Sequence, residues 1–103
     1  MTRTRLEKNE RRDQLVGLAL NLAKESSYLT VTLQEVANRA KVVKGTVVHH
    51  FKTTELLRDA IVDEAVYSAE LKIIAEALAN KHPRALMAPE RLRREAAEYI
   101  LNN

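Results

Sequence analysis

A chain of 103 residues, 46% hydrophobic and 30% charged, has room for one globular domain and too much apolar content for a disordered one. The absence of cysteine excludes a disulfide frame, a thiolate metal site and a cysteine nucleophile. Two glycines and two prolines leave little material for hairpins, so the expected class is all-α, and a formal charge of +3 points to no partner until its placement is considered.

Residues 1–10, MTRTRLEKNE, read as a flexible basic arm, whose Arg3, Arg5 and Lys8 could reach phosphates or a neighbouring minor groove; a merely solubilising terminus has the same composition. The first fourteen residues lack the apolar centre of a secretory leader, and no apolar run approaches the ~20 residues that span a bilayer. No membrane association and a cytoplasmic location are therefore expected. Leu15, Val16, Ala19, Leu20, Leu22 and Ala23 then form a wide apolar stripe, that of a scaffold helix ending at Ser26, Ser27 and Tyr28. Gly17 inside it costs up to ~1 kcal/mol.

Thr32 to Leu57, TLQEVANRAKVVKGTVVHHFKTTELL, reads as two short helices and the start of a third. Thr32 and Glu35 have the spacing of a capping box, and Leu33, Val36, Ala37 and Ala40 make one apolar face behind it. The second helix, Lys44 to Phe51, keeps Val47 and Phe51 inside, so that helical geometry turns Gly45, Val48 and His49 outward. An exposed face bearing Lys44, a glycine, Thr46 and His49 suits the major groove, which admits one helix and rewards small residues and hydrogen-bonding tips.

This stretch resembles the DNA-binding domain of the TetR family of bacterial repressors, with Thr32, Val36, Ala37, Ala40, Val42, Gly45, Thr46, Val47, Phe51, Lys52, Glu55 and Leu57 at corresponding places. The resemblance covers about residues 12–66. It implies a three-helix TetR-type helix-turn-helix domain over 11–66, followed by a long fourth helix and a short C-terminal helix, with 67–103 as a dimerisation extension. It also implies a sequence-specific regulator, a repressor holding a palindromic operator as a homodimer, in a bacterial or phage-type nucleoid. Lys44, Gly45, Thr46, Val48 and His49 are the residues expected at base edges; Thr32, Arg39, His50, Lys52, Arg3 and Arg5 are those expected at phosphates. Four departures stand out. Lys41 occupies the usual turn glycine, Val43 replaces the cap serine at a cost of ~1 kcal/mol, and Val48 and His50 replace aromatic residues. They motivate a second reading, a helix-turn-helix relative that inhibits another regulator without touching DNA.

After Phe51, Thr53 is the expected cap of the next helix, and the backbone N–H groups there, with Lys52, form an anion site. That helix is expected to run to about Asn80, and another from Pro89, at its first position, to about Leu101. Family members continue for roughly another hundred residues into a ligand-binding, dimer-forming domain. This chain is therefore expected to be either a piece of a longer protein or a compact regulator without a dedicated inducer pocket, dimerising through its last helices. Charge placement agrees with a nucleic-acid partner, since residues 38–58 carry five basic and one acidic residue and 59–79 one basic and five acidic; solvated helix faces have the same pattern.

Other chemistry finds little footing. His49 and His50 diverge by about 100° on a helix and do not converge on a metal ion. Asp59 and Asp63 stand i, i+4 on an acidic helix with no phosphate loop, serine elbow or zinc spacing nearby, so neither an enzyme nor a cofactor is expected.

Overall fold

The computed structural model describes the backbone of residues 2–102 and the side chains of residues 9–102. Among the described residues seven helices follow in order: α1 (Thr2–Glu25), α2 (Leu33–Ala40), α3 (Lys44–Phe51), α4 (Thr54–Ser68), α5 (Leu71–Ala79), α6 (Pro83–Leu86) and α7 (Glu90–Asn102). The described residues include no strand, and no helix is long and apolar enough to cross a membrane.

The stripe of α1 is the spine of the core. Leu15, Val16, Ala19, Leu20, Leu22 and Ala23 are all buried, and α1 packs on α2, α4 and α5. The helix stops where Lys72 of α5 donates through Nζ to the carbonyls of Lys24 and Ser26, at 2.9 and 3.1 Å, satisfying acceptors that a helix end leaves open. Tyr28 and Val31, each 1% exposed, anchor the connection to α2. The backbone of α1 is helical from Thr2, through the segment expected as an arm, in keeping with the helix-favouring Arg, Leu, Glu and Lys residues there. The side chains of Arg3, Arg5 and Lys8 lie outside the described residues.

Helix α2 opens on the expected capping box. The Thr32 hydroxyl accepts from the Glu35 N–H and the Glu35 carboxylate accepts from the Thr32 N–H, each at 3.1 Å. It closes on Lys41, whose φ of 59° and ψ of 43° place a lysine in the left-handed region that glycine usually fills. Two backbone bonds hold that turn, Val42 N–H to the Ala37 carbonyl at 3.0 Å and Lys41 N–H to that of Asn38 at 3.2 Å.

The same device breaks the long helix expected from Thr53 to Asn80. At Ala69, φ is 56° and ψ 44°, and Glu70 N–H donates to the Ala65 carbonyl at 2.8 Å. The chain turns there and α5 packs back on α4 and α7, burying Ile73, Ile74, Ala75 and Ala77. A straight helix would leave that apolar face in water, and its burial outweighs one residue in an unfavourable conformation. Lys81, with φ of 56°, ends α5 in the same way. Pro89 also differs from expectation. It precedes α7, and its carbonyl accepts the Arg93 N–H at 3.1 Å, so it sits at the cap and not at the first helical position.

Helix α6 is latched to α4 by two contacts. His82 Nδ1 accepts the Arg84 backbone N–H at 3.1 Å, which leaves Nε2 to carry the ring proton and donate it to Asp59 Oδ1 at 2.9 Å. Arg84 Nη1 donates to Asp63 Oδ2 at 2.6 Å. The two i, i+4 aspartates thus anchor the α5–α6 corner.

Candidate nucleic-acid interface

Helix α3 is held from beneath. Val47 is 0% and Phe51 3% exposed, and Arg12 of α1 stands over the Phe51 ring with its guanidinium carbon 5.2 Å from the centroid. Lys44, Gly45 and His49 are exposed on the opposite side, and Thr46 is half-buried at the edge of that face. A Cβ built on Gly45 would meet no atom within 4 Å, so nothing inside the protein requires a glycine there, although glycine within a helix costs ~1 kcal/mol against alanine. The helix begins without a side-chain cap. Val43 takes the cap position and is 75% exposed, with only the backbone bond from Thr46 N–H to its carbonyl, 3.0 Å, closing the first turn.

Several of the residues expected at the interface are placed differently. Val48 is half-buried and packs against the core, because a helix laid across α2 turns a broader arc inward than two residues imply; it is not on the open face. Arg39 is held in a fork by Glu25, Nη1 to Oε2 and Nη2 to Oε1, both 3.2 Å. That hydrogen bond and the guanidinium charge hold the Glu25 carboxyl below its usual range and raise the Arg39 pKa in return. The pair ties the end of α1 to α2, and a phosphate would have to displace a carboxylate. Thr32 is likewise engaged, its hydroxyl donating to Glu35 Oε1 at 3.2 Å while accepting from the Glu35 N–H, beside a negative charge.

The far end of α3 is better suited to an anion. Phe51 O accepts the Thr53 N–H at 2.8 Å across Lys52, whose φ of 70° and ψ of −58° mark a tight, strained γ-turn. The turn throws the exposed Lys52 outward at the start of α4, where the Thr53 hydroxyl accepts from Leu56 N–H at 3.1 Å and caps the helix. His50 lies alongside, half-buried, its ring 5.3 Å from that of His49 and 6.4 Å from that of Phe51. Arg12, His50 and Lys52 line one shallow recess of about 280 Å³ together with Asp59, Asp63 and Arg84. Arg12 carries no signal in the sequence that separates it from Arg11; only the crossing of α1 over α3 singles it out.

The face therefore combines an outward Lys44, Gly45, His49 strip with a basic margin at Lys52, His50 and Arg12. A strip of helix width that carries Lys44 and is flanked by Lys52 and Arg12 can lie along a polyanion groove. Among the described residues no cluster of three or more His, Cys, Asp or Glu side chains could hold a metal ion.

A family model described as bacterial regulatory proteins, tetR family, matches residues 15–61, from the inner half of α1 to the middle of α4. Searches of curated proteins and of solved structures returned no match.

Proposed function

We propose that this chain, whose residues 15–61 match the family model of the bacterial regulatory proteins, tetR family, is a sequence-specific repressor that occupies a palindromic operator as a homodimer. The observation that carries the reading is the orientation of α3, with Val47 and Phe51 in the core and Lys44, Gly45 and His49 in solvent. Gly45 supports it further, since its missing side chain serves no internal packing and close approach to a groove uses it. Lys44, His49 and the edge residue Thr46 read bases. Lys52, His50 and Arg12 hold phosphates. Two copies related by a two-fold axis place two such helices one turn, ~34 Å, or a multiple of it apart, and Leu86 and Met87 at the end of α6 with Ile100 and Leu101 on α7 offer exposed apolar area for the contact.

The test begins with a selection of bound fragments from random DNA, followed by binding measurements on the selected and a random duplex across salt concentrations. Lys44→Ala and His49→Ala weaken the selected duplex by about 1–3 kcal/mol each and the random one less, whereas Lys52→Ala weakens both alike and flattens the salt dependence by about one charge. Equal losses on both duplexes for all three variants would remove the base-reading assignment.

The exposed Val43 at the uncapped start of α3 favours one rival, a protein-interaction module in which this end meets an apolar partner surface. Such a module shows no salt-steep binding to random duplex DNA.

A further inference from the structure

A cleft of about 420 Å³ opens where the α1–α2 connection, the first half of α4 and the α5–α6 corner meet. That volume falls in the range of small-molecule sites. Its apolar walls are Tyr28, Leu29 and Pro83 with the ring of His82, which meets Tyr28 edge to face at 6.0 Å. Its polar groups are Arg58, Lys81, Glu55, Asp59 and Asn80. Asp59 is engaged by His82 at 2.9 Å.

Arg58, half-buried, carries an unsatisfied donor. Its Nε is buried and has no acceptor among the described residues, and a guanidinium N–H withdrawn from water without an acceptor is costly. The nearby Glu76 on α5 does not supply one, for its own Oε1 is also buried with no donor. Both charges act on the Tyr28 phenol between them: burial chiefly, and then Glu76, raise its pKa, while Arg58 lowers it. A half-buried arginine beside an aromatic ring, at an open cleft with apolar walls, has the form of a receptor for a flat organic acid.

We propose that this cleft binds a small monocarboxylate with a flat apolar body, its carboxylate on Arg58 and its ring against Tyr28, Pro83 and His82. A guanidinium fork matches a carboxylate in geometry and charge. Lys81, exposed at the rim on its left-handed turn, adds a second cation. Glu55 and Asp59 limit the added negative charge to about one, which favours a carboxylate over a doubly charged phosphate. The site lies within reach of the helix-turn-helix domain itself, on α4, and it is independent of the DNA reading.

The test is a titration of the ¹⁵N-labelled full chain followed by amide chemical shifts, with benzoate as the probe. Benzamide serves as the uncharged body and acetate as the bodiless charge. Benzoate produces saturable shifts at Leu29, Arg58, Lys81 and His82, with a Kd of about 1 mM, ordinary for so small a ligand. Benzamide, acetate and the Arg58→Gln variant with benzoate bind at least tenfold more weakly. Equal binding of benzamide, unchanged benzoate binding in a folded Arg58→Gln, or shifts confined to other surfaces would each overturn the proposal. The comparison of benzoate with benzamide uses the unmodified protein, so it decides the matter even if Arg58→Gln does not fold.

Discussion

Ala69 is the cleanest place to measure what the left-handed turns cost this fold. It is exposed, its φ of 56° and ψ of 44° lie where a Cβ clashes with the following carbonyl, and removing its methyl group loses no packing. An L-residue in that conformation costs roughly 1–2 kcal/mol, and a glycine returns roughly 0.4–1 kcal/mol of that through its freer unfolded chain. Ala69→Gly should therefore stabilise the protein by ~0.5–1 kcal/mol, or about 3–6 °C in Tm for a chain of this size. Lys41→Gly, compared with Lys41→Ala so that the lost charge cancels, should show the same gain, because φ there is 59°. Ala97→Gly is the control. Ala97 is exposed inside α7, and glycine there should cost ~1 kcal/mol. Thermal and urea unfolding followed by circular dichroism at 222 nm measure all four. If Ala69→Gly and Ala97→Gly destabilise alike, the chain does not turn at Ala69 and α4 runs on, which would undo the packing of α5 described above.

Val43→Ser should supply the missing cap of α3 and raise stability by ~1 kcal/mol, read in the same unfolding assay; no gain would mean that the first turn of α3 is not open. Lys52→Gly should relieve the strained turn after Phe51 by ~1 kcal/mol or more while weakening DNA binding at every sequence, so that stability and affinity move in opposite directions; a variant that loses both would remove the link between that strain and the anion site. The Glu25 carboxyl titrates below its usual range in the folded state, so its contribution to stability is present above the ordinary carboxylate pKa and is lost as pH falls through the folded value. Glu25→Gln should accordingly lower Tm near neutral pH and converge with the parent protein under acid conditions; a gap that persists there would point to packing and not to the ion pair with Arg39.

The residues of the helix-turn-helix that could be read in advance are those governed by local rules. The Thr32–Glu35 box and the Thr53 cap are patterns within four consecutive residues, and the stripe of α1 and the inward Val47 and Phe51 follow from helical periodicity. Each depends on neighbours within a turn or two, so the order of residues alone determined it. The outward placement of Lys44, Gly45 and His49 follows by the same geometry.

What the tertiary structure decided are matters of long range. Glu25 takes Arg39 from 14 positions away, His82 reaches Asp59 across 23, and Arg12 meets Phe51 only because α1 crosses α3. The break at Ala69 also left no mark, since glycine is the sequence signal for a left-handed turn and an alanine stands there. An alanine or a lysine adopts that conformation only when the helices on either side recover more by packing together than the turn costs. That balance is struck between surfaces which no local stretch of the chain contains.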